Sequence, residues 1–140
     1  MFKARFRVSW SDTDAAGIVH FSNHFRYVEK AEEELYNSLG FDFVSIFKKY
    51  GFALPRVEAC CKYYSPLRFN DIIEVRISVE EVREKSLRYK FEIYNVTADK
   101  VAAEGHIVAV AADIKRGKSV PLDREFVKRL LKAAGTESEG

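Results

Sequence analysis

At 140 residues, 47% of them hydrophobic and with 11 Phe and 7 Tyr, the chain has the length of one domain and ample apolar surface for a core, which excludes a disordered polypeptide. Its 23 basic and 21 acidic residues leave a net charge of only +2 and are spread along the chain; this gives no support for a nucleic-acid binder, although a local patch for a few phosphates stays open. Cys60 and Cys61 are adjacent, so a bridge between them would be strained and a four-cysteine metal site is excluded; they read as free thiols of a reducing compartment.

Phe2, Ala4, Phe6 and Val8 alternate with Lys3, Arg5, Arg7 and Ser9, which predicts a first strand over residues 2–10. The N-terminus carries no apolar run like a signal peptide, and no stretch approaches a membrane span, so a cytoplasmic protein is expected. Asp, Thr, Ala and Gly residues then make a loop through Gly17. From Ser22 to Leu39 the period changes: Phe21, Phe25, Val28, Leu35 and Leu39 share a stripe at helical spacing. Ser22 or Asn23 is placed to cap this helix and Gly40 to end it. A shorter helix is expected over Val44 to Lys49, stopped by Gly51.

Strands follow. Val57, Ala59, Cys61 and Tyr63 alternate with Glu58, Cys60, Lys62 and Tyr64; Ile73 to Val79 and Leu87 to Tyr94 repeat the two-residue period. This predicts an antiparallel sheet with one face on a core and one on solvent. Val101 to Ala112 is apolar on both faces and should be a central or doubly covered strand. A last helix, Asp123 to Ala134, takes Asp123 as its cap. The order implies an α+β domain over residues 1–134, followed by a small, polar, flexible tail over residues 135–140.

Asp12 and Asp14 stand just before the long helix. Helix N-termini expose unpaired amide hydrogens and the positive end of a dipole, so a carboxylate there lies beside a ready oxyanion site. Acyl transfer needs that combination. The same residues also serve simply to turn and cap a loop, and position alone leaves both readings open.

The run from Asp12 through Thr13, Asp14, Gly17, Ile18, Val19, His20, Phe21 and Ser22 to Asn23 resembles the signature of hotdog-fold acyl-CoA thioesterases. It is most similar to the 4-hydroxybenzoyl-CoA thioesterase family and the Tol–Pal-associated acyl-CoA thioesterases. The likeness continues through Tyr27 and Glu29, the layout fits from Phe6 to Pro121, and Gly117 to Pro121 resembles the family's last strand and proline. The resemblance implies one long central helix wrapped by a curved antiparallel sheet of about five strands, plus a C-terminal helix. It implies an enzyme that splits acyl-CoA into free CoA and a carboxylic acid, with no cofactor and no metal, coenzyme A being part of the substrate.

By that resemblance Asp14 is the catalytic carboxylate, either attacking the thioester or acting as base on water. The backbone N–H of Phe21 is the oxyanion donor. Gly17, Ile18, Val19, His20 and Asn23 form the substrate loop, Asn23 joining loop to helix, and Asp12 is assigned to loop structure. Two residues depart from the pattern. His24 replaces a frequent Tyr and reads as a packing or surface residue. Glu32 replaces a frequent Arg within the apolar stripe and must find a partner or shift its pKa. Glu29 and Glu32 are reserve carboxylates, because some hotdog thioesterases place the catalytic acid on the helix. His20 and His106 read as structural.

Among the cations near strand ends (Arg56, Arg68, Arg83, Lys85, Arg88 and Lys90), Arg88 and Lys90 are the named candidates for CoA phosphates. Phe25, Tyr63, Tyr64 and Phe69 read first as core and second as walls of an aryl pocket. A homodimer at least, and a homotetramer as a dimer of dimers, is expected, with sheets joined edge to edge and the active site at the interface. The hydratase pattern of the same fold is absent. The competing reading is a hotdog domain that binds an acyl-CoA, an acyl carrier or a protein without turnover.

Overall fold

The computed structural model describes residues 1–40 and 42–135; the expected tail beyond Gly135 lies outside the described residues. In chain order the elements are β1 (Phe2–Arg7), α1 (His24–Ser38), α2 (Phe43–Tyr50), β2 (Arg56–Tyr63), β3 (Ile72–Val82), β4 (Ser86–Asn95), β5 (Lys100–Val110), the short pair β6 (Ala112–Asp113) and β7 (Lys118–Ser119), and α3 (Arg124–Ala134). Five strands make one sheet in the order β1-β3-β4-β5-β2, each neighbour antiparallel. The helix-wrapping α+β layout expected above is therefore present.

Alternation sets which face is covered. Ile73, Val75, Ile77 and Val79 of β3 and Leu87, Tyr89, Phe91 and Ile93 of β4 are all buried. They meet Tyr27, Val28, Ala31, Leu35 and Tyr36 of α1, which are buried as well. A 15-residue α1 spans about 22 Å at ~1.5 Å per residue, enough to cross the sheet. Its C-terminal Gly40 has φ +89°, the left-handed conformation that a helix-ending glycine adopts without a Cβ penalty. Asp123 caps α3 by accepting from the Phe126 N–H at 3.0 Å.

Three expectations need correction. The first strand stops at Arg7, because Trp10–Asp12 closes a single 3-10 turn. Phe21 leaves the helical stripe: it begins another 3-10 turn, Phe21–Asn23, whose tighter period rotates it out, and it is 64% exposed. Neither Ser22 nor Asn23 caps α1 with its side chain; the His20 ring instead accepts from the Ser22 N–H. Strand β5 is internal between β4 and β2, as expected of a central strand, with Ala102, Ala103, Ile107 and Ala109 buried.

Strand β2 sits at the sheet edge and is exposed on both faces over most of its length. Val57 is 62% and Tyr63 45% exposed, which leaves an apolar, unpaired edge of the kind folded proteins normally cover.

Candidate active site

The loop between β1 and α1 is a short hairpin. Thr13 bridges Val19, the Asp14 N–H donates to the Ile18 carbonyl at 2.9 Å, and the Gly17 N–H closes the turn on the Asp14 carbonyl at 2.9 Å. Gly17 has φ +79° with nothing within 4 Å of a Cβ built there. The turn conformation, not crowding, is what asks for glycine. The loop is stitched to the body by the Val19 N–H to the Leu67 carbonyl, 2.8 Å, and by an Ile18–Arg68 bridge.

Asp14 heads this turn. Its Oδ1 accepts from the Ala16 N–H at 2.8 Å, the two-residue reach typical of an Asx turn. The residue is exposed, and among the described residues no ion pair engages its carboxylate. One carboxylate oxygen is thus oriented by the backbone while the group stays open to a ligand.

Asp12 does different work. Its Oδ2 accepts from the Tyr27 hydroxyl at 2.6 Å, its Oδ1 lies 3.5 Å from Arg26, and its carbonyl accepts from the His20 N–H at 3.0 Å and Asn23 Nδ2 at 2.9 Å. Both Asp12 and Asn23 fasten the loop to the start of α1. Burial, reinforced by the Asp12 carboxylate, pushes the Tyr27 phenol far above its ordinary range, so it remains a donor.

Phe21 is the first residue of the 3-10 turn, and the N–H there has no partner within the turn itself. His20 accepts at Nδ1 from the Ser22 N–H, 3.3 Å, and lies 2.7 Å from Ser22 Oγ, an arrangement that puts the ring proton on Nε2. His24 is buried at 4% exposure, its Nδ1 3.2 Å from the Phe21 carbonyl and its ring edge-on to Tyr63 at 4.7 Å. Packing is its visible role.

Burial lowers the His24 pKa, against hydrogen bonds to the Phe21 and His20 carbonyls that raise it. A histidine depressed on folding supports stability above its unfolded pKa, and that support is lost as pH falls through the folded value. The wild-type protein should therefore lose stability between about pH 7 and pH 5 more steeply than His24→Phe. Urea unfolding at the two pH values tests this; equal losses would refute it.

The reserve carboxylates separate. Glu29 is exposed on α1. Glu32 is 2% exposed and pairs with Arg56 at 2.5 Å. Burial raises the Glu32 pKa and Arg56 pulls it back. Arg56 also stacks its guanidinium 5.7 Å above the Tyr89 ring, and the Tyr89 and Tyr36 hydroxyls bond each other in the core. Glu32 is thus engaged inside the fold, and Arg56, one of the six cations noted near strand ends, is its partner. Sequence could demand a partner for Glu32, but the pairing across 24 residues depends on strand placement.

Arg88 and Lys90 project from β4 away from α1, opposite to Leu87, Tyr89 and Phe91. They line an outer-face groove of about 620 Å³ with Arg76, Glu92, Glu104 and His106, where cations and carboxylates intermix. Arg88 lies 3.6 Å from Glu80 and 3.8 Å from Glu58, and His106 bonds Glu58 at 2.7 Å. The sheet stands between this groove and α1, and Asp14 does not line it. Among the described residues no group of three His, Cys, Asp or Glu side chains is placed to hold a metal ion.

The reading of four aromatics as core also needs correction. Only Phe25 is half-buried, edge-on to Phe91 at 5.8 Å. Tyr63, Tyr64 and Phe69 are 45%, 55% and 52% exposed, because they fall on the free edge strand and the loop after it. Phe69 adjoins Arg68, which bridges Ile18 of the candidate loop.

The chain is similar to known proteins. A sequence model of the thioesterase-like superfamily matches residues 8–130. An Aquifex aeolicus protein with an esterase name and no stated substrate is 33% identical, over 92% of this chain and 97% of its own. A 1,4-dihydroxy-2-naphthoyl-CoA hydrolase of Thermosynechococcus vestitus is 33% identical over 68% of this chain and 65% of its own length. A solved gentisyl-coenzyme A thioesterase is 30% identical with a TM-score of 0.77, covering 91% of this chain and 98% of that one.

Proposed function

The chain belongs to the thioesterase-like superfamily and has its hotdog fold, and from that premise we propose that it hydrolyses acyl-CoA thioesters at the loop between β1 and α1. The observation that carries this is Asp14: an exposed carboxylate, held through one oxygen by the Ala16 N–H, on a loop that leads into the Phe21 turn at the start of α1.

Two routes use the same atoms. In one, an Asp14 oxygen attacks the acyl carbon, the C–S bond breaks, CoA leaves as thiolate, and water then opens the mixed anhydride. In the other, Asp14 takes a proton from water as its oxygen attacks, and that proton passes to the departing thiolate. Either way negative charge grows on the acyl oxygen, and the Phe21 N–H is the donor we assign to it. Gly17, Ile18, Val19 and His20 complete the loop along the thioester.

An aromatic acyl group suits the site best. Two relatives carry aryl-CoA names, and exposed Phe21, Tyr63 and Phe69 offer ring faces near the loop. Release of free CoA thiol, followed across short-chain, long-chain and aromatic acyl-CoAs, tests both statements. Binding without turnover across the panel would establish the non-catalytic alternative, and a preference for aliphatic chains would remove the aryl assignment.

A homodimer is part of the same reading, with a dimer of dimers as its extension. It is supported by the unpaired β2 edge with Val57 and Tyr63 exposed, since a second copy pairing there would cover both backbone and apolar side chains. An active monomer in sedimentation would contradict it. Two free cysteines suit a cytoplasmic setting; no helix among the described residues is long and apolar enough to cross a membrane.

A further inference from the structure

We propose that Tyr63 and His24 are positioning residues for this reaction: together they clamp the carbonyl of Phe21 and so hold the direction of the Phe21 N–H toward the reacting acyl oxygen. This rests on the hydrolase reading above and adds two side chains to it, from two different elements.

The Phe21 carbonyl takes side-chain hydrogen bonds from both sides. The Tyr63 hydroxyl donates from the end of β2 at 2.8 Å, reaching across 42 positions of sequence, and His24 Nδ1 donates from the first turn of α1 at 3.2 Å. The two donors also brace each other, with ring centroids 4.7 Å apart and planes at 88°. This edge-to-face contact limits the freedom of either ring.

Such a clamp answers a problem posed by Phe21 itself. Its side chain is 64% exposed and meets the ring of its neighbour His20 at 4.5 Å rather than the core, and its N–H lies at the unpaired position of a three-residue turn. The peptide plane that carries this N–H is held through its own carbonyl, that of His20, which accepts from the Asn23 N–H at 2.9 Å. Only φ and ψ of Phe21 separate that plane from the clamped carbonyl. Holding the His20 and Phe21 carbonyls together fixes where the N–H points without using up the N–H. Oxyanion donors stabilise a transition state in proportion to their preorganisation, and a small misplacement of catalytic groups costs much of the rate.

A purely architectural role for Tyr63 makes a different prediction. Its ring is 45% exposed on the edge strand, so losing one oxygen there should change neither catalysis nor much stability. Burial raises the Tyr63 pKa to about 12, helped by its contact with Cys61, which keeps the hydroxyl protonated and able to donate through the assay range.

The test compares Tyr63→Phe, His24→Phe and the double variant with the wild-type chain, using Asp14→Asn as reference. Affinity is read with an S-alkyl-CoA thioether, which lacks the carbonyl oxygen. Tyr63→Phe is expected to lower kcat ~10-fold and the double variant further, with KM and thioether Kd within ~2-fold of wild type. The melting temperature of Tyr63→Phe should stay within about 3 °C. Unchanged kcat in Tyr63→Phe, while Asp14→Asn is inactive, overturns the clamp and leaves the hydrolase reading standing. Thioether affinity or melting falling in step with kcat reduces Tyr63 to structure and overturns the clamp as well. Wild-type turnover by Asp14→Asn overturns the underlying reading instead.

Discussion

Asp14→Asn should lower thioester hydrolysis by at least ~10³-fold while leaving the protein folded, because the substitution removes the attacking or proton-accepting oxygen and little else. Asn keeps a side-chain carbonyl that can accept the Ala16 N–H, so the turn closed by Asp14 and Gly17 retains its local bond. Asp14 is exposed, so no packing is lost. Far-ultraviolet circular dichroism and melting should match wild type while thiol release collapses. Full activity would remove Asp14 from the mechanism and return attention to the carboxylates on α1. A pre-steady-state burst of one CoA thiol per site in the wild-type enzyme would mark the covalent route.

Arg56→Met is the variant expected to cost the most stability, about 3–5 kcal/mol, because it strands a buried carboxylate. Glu32 is 2% exposed and pairs with Arg56 at 2.5 Å; without the cation only protonation relieves the burial. The sign of the pH response follows. Burial already raises the folded-state pKa of Glu32, and loss of Arg56 raises it further. A carboxyl whose pKa rises on folding supports stability below its unfolded pKa, and that support is lost as pH rises through the folded value. Arg56→Met should therefore be rescued by acid over the range in which its folded-state Glu32 takes up a proton.

Glu32→Met should cost less, about 2–3 kcal/mol, because the partly exposed Arg56 can turn its head toward water. The double variant should recover much of the loss, since apolar replacement of both partners removes the desolvation cost. Urea unfolding of the three variants at several pH values measures all of this. A neutral Arg56→Met would show that the pair contributes no net stability.

Much of the architecture was legible in the sequence because it rests on local periodicity. Alternation marked Ile73 to Val79 and Leu87 to Ile93 as core-facing strands, and each of those apolar positions is buried. Gly40 and Asp123 marked helix ends through backbone chemistry that acts within a few residues. The Asp12 to Asn23 run was readable for the same reason: its turn is closed by near neighbours in the chain.

Tertiary structure decided what depends on which segments meet. Whether β2 lies inside the sheet or at its edge depends on strand order, and the edge position exposes Tyr63, Tyr64 and Val57, two of which read as core from pattern alone. The partner of Glu32 was undetermined until strand placement put Arg56 beside α1. Arg88 and Lys90 were two cations among several until the pleat turned them to the outer face. Phe21 sat on the apolar stripe only while the helix was assumed to start one turn earlier; the 3-10 turn rotates its side chain out and leaves its carbonyl to Tyr63 and His24. Local hydrogen bonds and side-chain period are properties of a short stretch of chain, whereas a contact across 42 residues exists only once the whole sheet has closed around the helix.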